Sequence, residues 1–385
     1  MEFCQDREEQ TSMDGEHRAS VSLSRRRLLR TSGALGLALL ATGGLTRSAF
    51  ATTEADESEE TPAPGPTPTG GTPVGSAGSV TIYSGRNEKL IGDLIAQFER
   101  ATGIDAEVRY GDTAELAATI LEEGDKSPAD LFWAQDAGAL GAVAREDRLA
   151  TLPEDLLQRV DARFRSKQGL WVGTSGRARV LVYNTEQLTE ADLPASVFDL
   201  TDTKWRGKIG WAPTNGSFQS FVTALRVLRG EDAARAWLEG IKANEPVTFE
   251  SNAPIVRAVG AGEIAVGLVN HYYLYEIKAE EGEDFPAANH FFAPGDPGNL
   301  VNVAGVGILR TAKHAEQALR FADYLLSQEG QTYFAERTFE YPLIEGVKPR
   351  ADLVPLDEIQ GPEIDLSDLA DLQGTLQLLT EVGVI

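Results

Sequence analysis

The sequence predicts an α/β protein with two lobes, mostly parallel sheets and a cleft between the lobes. Short apolar runs alternate with amphipathic helical patterns from residue 80 onward, which is typical of a parallel sheet covered by helices. Two apolar strand patterns, at 177–183 and 303–309, bracket a complete α/β block. Such a pair can cross between two lobes as a hinge, and small ligands usually bind in the cleft between lobes.

The alternation begins with a strand at 80–84 and a helix at 87–102, which Gly103 ends. We expect no internal repeat, and no membrane span after the N-terminal segment. The first lobe is assigned to 80–180 and 303–354, and the second to 181–302 and 355–385. The other predicted elements are strands at 104–110, 130–134 and 208–211, and helices at 113–123, from about Asp136, at 218–229 and at 232–243.

The N-terminal part predicts export. Ser24-Arg-Arg-Arg-Leu-Leu-Arg30 has the form of a twin-arginine motif, and Ala49-Phe-Ala51 is a small-x-small cleavage site. The uncharged run between them is too short to span a bilayer comfortably. We therefore expect a signal peptide at 1–51, and a protein that is extracellular or at the cell surface, tethered there if the signal stays uncleaved.

Composition separates a linker from the folded part and limits the classes of partner. Residues 52–79 are acidic and then rich in Pro, Thr and Gly, so we expect a disordered spacer. The 385-residue chain carries a formal net charge of −24, and only nine of its 35 basic residues are Lys. This charge argues against nucleic acid and anionic membranes as partners, and it suits a halophilic protein.

The residues offer little for catalysis. There is no Gly-x-Ser-x-Gly, no Walker loop and no His-Glu-x-x-His, and His271, His290 and His314 lack the spacing of metal ligands. The single Cys4 precedes the signal and would be removed with it, so the mature protein would have no disulfide and no thiolate ligand. We therefore expect a binding protein rather than an enzyme.

Two short segments carry candidate binding chemistry. Tyr272 and Tyr273 follow an apolar strand, and their phenolates would be strong oxygen donors for ferric iron; the alternative is half-buried packing. Thr214-Asn-Gly-Ser-Phe218 lies between a strand and the start of a helix. Its free backbone N–H groups suit an anion, although the same residues would serve as a plain N-cap.

From about residue 80 to its end, the chain resembles the periplasmic ferric-iron-binding proteins of bacterial ABC importers. The resemblance implies the two-lobed periplasmic-binding-protein fold with crossing hinge strands. It also implies a monomer that closes on one Fe³⁺, delivers it to a membrane permease and is not an enzyme. The matching segments, in family order, are Tyr83-Ser-Gly-Arg-Asn-Glu-Lys89, residues 122–132, 175–180 and 204–210, Asn270-His-Tyr-Tyr273 and Glu340-Tyr-Pro-Leu343.

Carried over position by position, the resemblance implies that Tyr272 and Tyr273 are the paired phenolate ligands of the iron. Because two phenolates leave Fe³⁺ with one uncompensated positive charge, we expect a co-bound anion such as carbonate or phosphate. The residues implied to lie around that anion are Asn215, Gly216, Ser217, Asn252 and Asn270, with the basic residues Arg177 and Arg179 near the cleft.

The chain departs from the family at two positions. Asn87 stands where some members supply a histidine, and Gln135 stands where they supply a glutamate, with Asp136 next to it. Neither amide is a strong Fe³⁺ ligand, so these three residues are candidates for further contacts to the metal or to its ligands.

Those departures favour an alternative ligand for the same fold, an organic solute such as thiamine or a phosphonate. The Tyr272–Tyr273 pair argues against it. A third reading, a secreted two-lobed enzyme, lacks a nucleophile and an acid–base pair.

Overall fold

A computed structural model describes residues 77–385, so the predicted signal peptide and nearly all of the predicted linker lie outside the described part. The strands are β1 Ser79–Ser84, β2 Asp105–Tyr110, β3 Leu131–Ala134, β4 Val172–Asn184, β5 Ile209–Trp211, β6 Val247–Thr248, β7 Val266–Asn270, β8 Ala287–His290 and β9 Val301–Ile308. The α-helices are α1 Glu88–Thr102, α2 Thr113–Glu123, α3 Ala137–Arg145, α4 Glu154–Leu157, α5 Gly216–Arg229, α6 Glu231–Ala243, α7 Asn252–Gly260, α8 Tyr272–Glu281, α9 Ala315–Leu325, α10 Gln328–Arg337 and α11 Leu372–Val382.

Within 77–385 the strands form one path in the order β2-β1-β3-β9-β4-β7-β5-β6, and β8 also pairs with β4. Its outer pairs, β1 with β2 and β3, and β5 with β6 and β7, are parallel, as predicted for strands that alternate with helices. The central strands β4 and β9 are antiparallel to their neighbours. The sheet therefore has two parallel outer parts joined through an antiparallel centre.

Strand β4 belongs to both halves of this sheet. Its first part, from Val172 to Ala178, pairs with β9, whereas Arg179 begins the part that pairs with β7. Strand β9 pairs with β3 and β4 along its length from Val301 to Ile308. The predicted crossing on β4 thus lies where that strand changes partners, whereas residues 303–308 lie within the continuous ladder of β9 with β3 and β4. The residue boundaries of the two lobes remain a prediction.

Helix α1 shows how the sequence fixes an element beside the cleft. The Asn87 side chain caps the helix by accepting a hydrogen bond from the Lys89 N–H, and Gly103 ends it in the left-handed region at φ 70°. The buried stripe of Ile91, Leu94, Ile95 and Phe98 holds the helix against the sheet.

Each half of the sheet has aromatic packing on its helices. Trp133 on β3 and Phe98 on α1 both contact Phe321 on α9, whereas Phe218 and Phe221 on α5 pack against Trp237 on α6. These rigid supports leave the loops at the strand ends free to line the cleft. Among the described residues, no helix has the length and apolar character needed to cross a membrane.

Candidate metal and anion site

The tyrosine pair lies where β7 passes into α8. Strand β7 ends at Asn270 and α8 begins at Tyr272, so both phenols project from the first turn of the helix. Their rings stack with centroids 4.2 Å apart and an interplanar angle of 29°. The pair is therefore preorganised, because both phenol rings extend from the same helical turn and stack on each other.

Burial keeps both phenols protonated in the absence of a cation. It raises the pKa of Tyr272 well above its ordinary value, with a further increase from Tyr273, and it also raises the pKa of Tyr273. The Tyr272 side chain is 1% exposed, and its hydroxyl has no hydrogen-bond partner among the described residues. A bound metal ion would displace these protons and give the buried oxygens a partner.

An open cavity of about 810 Å³ is lined by Tyr273, whose ring stacks on that of the buried Tyr272. Asn87 and Gln135 line it from the loops that follow β1 and β3, and Tyr273 and Glu276 line it from α8. Asn215, at the start of α5, also reaches its wall. Residues from both halves of the sheet therefore meet around one space large enough for a metal ion and an accompanying anion.

The predicted anion loop is ordered by hydrogen bonds within the chain. The side-chain Oδ1 of Asn215 accepts from the Ser217 N–H at 3.1 Å and from the Ser217 hydroxyl at 2.6 Å. Asn252 Nδ2 donates to the same oxygen at 3.2 Å. Asn215 is thus the N-cap of α5, as the plainer interpretation predicted, and the cap also brings Asn252 beside the loop.

Arg179 connects this loop to β7. Its Nη1 donates to Asn270 Oδ1 at 3.2 Å and to Ser217 Oγ at 3.5 Å, because Arg179 and Asn270 stand opposite each other on β4 and β7. Burial, followed by the charge of Arg177, lowers the pKa of Arg179 to about 9. The structure therefore places Asn215, Ser217, Asn252, Asn270 and Arg179 in one hydrogen-bonded group.

Several buried donors near this group lack partners among the described residues. They are Nη2 of Arg179, Nε and Nη2 of Arg177, and Nδ2 of Asn270. Buried polar groups are rarely left unsatisfied, and a site for a bound ion is one accepted cause. Donors without acceptors, three of the four on guanidinium cations, provide the chemistry that an anion requires.

A buried ion pair lies behind the tyrosines. Arg86 donates twice to Glu340, at 2.8 Å in each bond, and Arg177 Nε lies 3.9 Å from the same carboxylate. Burial alone would raise the pKa of Glu340, but the charge and hydrogen bonds of Arg86, helped by Arg177, lower it. One carboxylate faces two guanidinium groups, which leaves a net positive charge on this side of the site.

The three residues at the departures from the family are already engaged. Asn87 is exposed and caps α1, while the Gln135 amide fits with its oxygen 3.3 Å from Arg177 Nη1 and its nitrogen 3.2 Å from the Gly85 carbonyl. Asp136 is buried, caps α3 by accepting from the Ala139 N–H, and has its pKa raised by burial. Asn87 and Gln135 line the cavity and Asp136 does not, and the present bonds of all three residues are structural.

The buried His271 is also structural. Its Nδ1 accepts from the Ala178 N–H at 3.1 Å and its Nε2 donates to the Phe339 carbonyl at 3.0 Å. Burial lowers its pKa to about 4, so the ring is neutral. Across residues 77–385 no group of three or more His, Cys, Asp or Glu side chains could hold a metal, which leaves the phenols as the leading donors.

Sequence reasoning missed one residue of the cavity wall, Glu276. It lies one helical turn after Tyr272 and Tyr273, and its Oε1 is buried without a hydrogen-bond partner among the described residues. Burial, followed by the charge of Glu340, raises its pKa to about 7. The signal was available, because residues three and four apart on a helix share a face.

Comparison with known proteins identifies the family of the chain. The family described as "Bacterial extracellular solute-binding protein" matches residues 126–357. The chain is 32% identical over 308 residues to the Fe(3+)-binding periplasmic protein of Serratia marcescens, covering 80% of this chain and 90% of that one. It is 33% identical over 310 residues to the major ferric iron-binding protein of Neisseria meningitidis serogroup B, covering 79% and 93%.

Solved structures give the same result. Iron-bound HitA from Pseudomonas aeruginosa superposes with a TM-score of 0.76 at 34% identity, covering 79% of this chain and 99% of that one. Trichodesmium IdiA (FutA), in complex with iron and citrate, superposes with a TM-score of 0.69 at 29% identity, covering 79% and 99%. The predicted two-lobed α/β fold is confirmed by these neighbours.

A relative of the alternative class is more distant. The putative 2-aminoethylphosphonate-binding periplasmic protein of Salmonella typhimurium is 24% identical over 267 residues, covering 68% of this chain and 74% of that one. The chain belongs to the bacterial extracellular solute-binding protein family, which is not enzymatic, and its relatives include ferric iron-binding periplasmic proteins of iron uptake.

Proposed function

We propose that the protein captures ferric iron outside the cytoplasmic membrane and delivers it to the permease of an ABC importer. The observation that carries this proposal is the stacked Tyr272–Tyr273 pair, of which Tyr273 lines an open cavity. Phenolate is a hard oxygen donor, and a trivalent cation would remove both phenol protons. The names of the relatives support the same cargo.

The iron is bound together with an anion, for which carbonate and phosphate are the candidates. Fe³⁺ and two phenolates carry one positive charge in sum, and the unpartnered donors of Arg177, Arg179 and Asn270 add positive potential. An anion at the start of α5 would satisfy these donors and the charge together. The relative that holds iron and citrate is a precedent for an iron site shared with an anion.

The proposed route to the cell exterior rests on residues outside the described part. The twin-arginine motif and the cleavage site at Ala49-Phe-Ala51 support export, with the acidic linker as a spacer or, if the signal is retained, as a tether. The net charge of −24 supports a salt-adapted surface. We also propose that the protein acts as a monomer.

Visible absorption tests the iron ligands. Ferric iron, supplied as ferric nitrilotriacetate, should give the purified protein a phenolate-to-iron band. Tyr272→Phe and Tyr273→Phe should each weaken or remove this band and lower iron affinity by at least about tenfold. Tyr275→Phe is the matched control on the same helix. The Tyr275 hydroxyl donates to the Asp352 carbonyl and should not reach the iron.

Anion dependence tests the second half of the site. Iron titrations at fixed pH, with and without carbonate or phosphate, should show tighter binding when the anion is present. Gly216→Val should reduce the gain in iron affinity that the anion gives, because its side chain would occupy space beside the loop at the start of α5. A Cβ at Gly216 would lie 3.8 Å from Asp136 Oδ2. Equal affinity with and without anion would refute the anion, and iron binding in neither condition would leave the organic-solute alternative.

A further inference from the structure

We infer that Glu276 provides a third protein oxygen to the iron, in addition to the two phenols. This inference rests on the proposed function and identifies a specificity-determining residue of this chain. It addresses the question that Gln135 raises, namely which carboxylate stands in the cleft when that position holds an amide. Glu276 lies on α8 with the tyrosines, and its Oε1 has no hydrogen-bond partner among the described residues. The cations near it, Arg86 and Lys89, are bound to other carboxylates.

The helix places the Glu276 carboxylate over the tyrosines. Glu276 follows Tyr273 by three residues and Tyr272 by four, so the three side chains share one face of α8. Helical side chains lean toward the N-terminus of their helix, and each covers the surface over the preceding turn. That turn carries the two phenols, and both Tyr273 and Glu276 line the cavity.

Among residues 77–385, no cation pairs with Glu276. Arg86 is the nearest buried cation and uses both terminal nitrogens on Glu340, at 2.8 Å each. Lys89, at the cavity mouth, binds Glu280 at 3.1 Å. Glu276 Oε1 is left buried without a hydrogen-bond partner among the described residues. A buried carboxylate without a counter-charge is costly, and a cation bound in the cavity would offset that cost.

Charge balance gives this carboxylate a distinct role. Two phenolates and one carboxylate neutralise Fe³⁺, so with Glu276 bound the anion would balance the positive charge of Arg177 and Arg179 and no longer that of the metal. The anion and Glu276 approach from different sides, since the anion faces Arg177 and Arg179 and Glu276 extends from α8. Glu276 is a better candidate than Asp136, because Asp136 Oδ1 already accepts from the Ala139 N–H as the cap of α3.

Competition for iron tests the assignment. Ferric nitrilotriacetate is added to the purified protein at fixed pH and fixed carbonate, and EDTA is then titrated against the complex. Glu276→Gln, which keeps the shape and removes the charge, should raise the iron dissociation constant by at least about tenfold and keep the phenolate-to-iron band. Glu276→Met, which has no side-chain oxygen, should raise the iron dissociation constant by as much. It controls for an effect of the amide group of Gln.

Glu280→Gln is the matched control, because Glu280 lies one turn further along α8, also lines the cavity and is paired with Lys89. Its dissociation constant should stay within about threefold of the parent, as expected for an exposed ion pair. Parent-like binding by both Glu276 variants would overturn the inference while the proposed function stands. Loss of the visible band in the parent protein itself would overturn both.

Discussion

At the scale of single residues, we expect the Tyr272 hydroxyl to lower the stability of the iron-free protein while it contributes to iron binding. This hydroxyl is buried without a partner among the described residues, so it costs free energy in the iron-free protein. We expect iron-free Tyr272→Phe to be at least as stable as the parent in urea unfolding. Tyr341→Phe, whose hydroxyl donates to the Val354 carbonyl at 2.7 Å, should lose about 1 kcal/mol. The opposite order would show that the Tyr272 hydroxyl has a structural partner.

The buried His271 makes stability depend on pH. Its folded pKa of about 4 lies below the ordinary value of 6.5, so the unfolded chain binds the proton first as the pH falls. Stability is full above pH 6.5 and declines toward pH 4, by about 3 kcal/mol in all. Urea unfolding of the iron-free protein at several pH values measures this decline. His271→Gln should flatten it, and an imidazole that titrates near 6.5 by NMR would contradict it.

Residue identities predicted part of the site and left part of it hidden. Tyr272, Tyr273 and the Asn215–Gly216–Ser217 loop could be found because neighbouring residues carry the motif. Glu276 and the Arg86–Glu340 pair could not be assigned roles in the same way, since their meaning depends on burial and on contacts 254 positions apart. A sequence shows which groups can bind, but not which of their partners are already engaged.

At the scale of elements, the cap of α1 explains why Asn87 can replace a ligand without loss of the helix. Its side chain accepts from the Lys89 N–H at 2.8 Å. Asn87→Ala should destabilise the protein by about 1 kcal/mol, whereas Asn87→Asp should retain the cap. Iron affinity of Asn87→Ala should stay within about threefold of the parent, because the cap oxygen serves the helix. Thermal melting and iron titration of the two variants check these outcomes, and a tenfold loss of iron affinity would make Asn87 part of the site.

Local patterns predicted the elements better than their arrangement. Helices α1 and α2 begin and end within one residue of their predicted bounds, because caps and apolar stripes are local signals. The sheet order depends on which distant strands pair, and no local pattern shows this. Strand β8 was not predicted either, and its four residues pair only with β4.

At the scale of the whole molecule, the open cavity predicts closure on the ligand. The residues that line the cavity come from both halves of the sheet. These two halves are joined through β4 and β9. Iron and anion would join these walls, so the radius of gyration from solution scattering should be smaller with iron than without. Tyr273→Phe, given the same iron, should retain the larger value. Identical profiles for the parent in both states would refute closure.

Export can be tested on the entire chain. Replacing Arg25 and Arg26 by Lys should leave precursor in the cytoplasm, since receptors of the twin-arginine route read the arginine pair. Cell fractionation measures the distribution, and the N-terminus of exported protein should lie near Thr52. The matched replacement of Arg18 by Lys, outside the motif, should have no effect. Unchanged export of the paired variant would exclude this route.

The β4–β9 ladder joins Ala178 to Val301, residues about 120 positions apart in the chain. Closing so long a loop costs conformational entropy before the strand pairing stabilises the chain, and high contact order slows folding. Arg177 and Arg179 reach their final positions only when β9 has been made and paired. A ribosome-bound chain that ends before residue 308 therefore lacks a competent site, however well its earlier helices have formed. Iron binding at this site would thus require a chain whose synthesis is nearly finished.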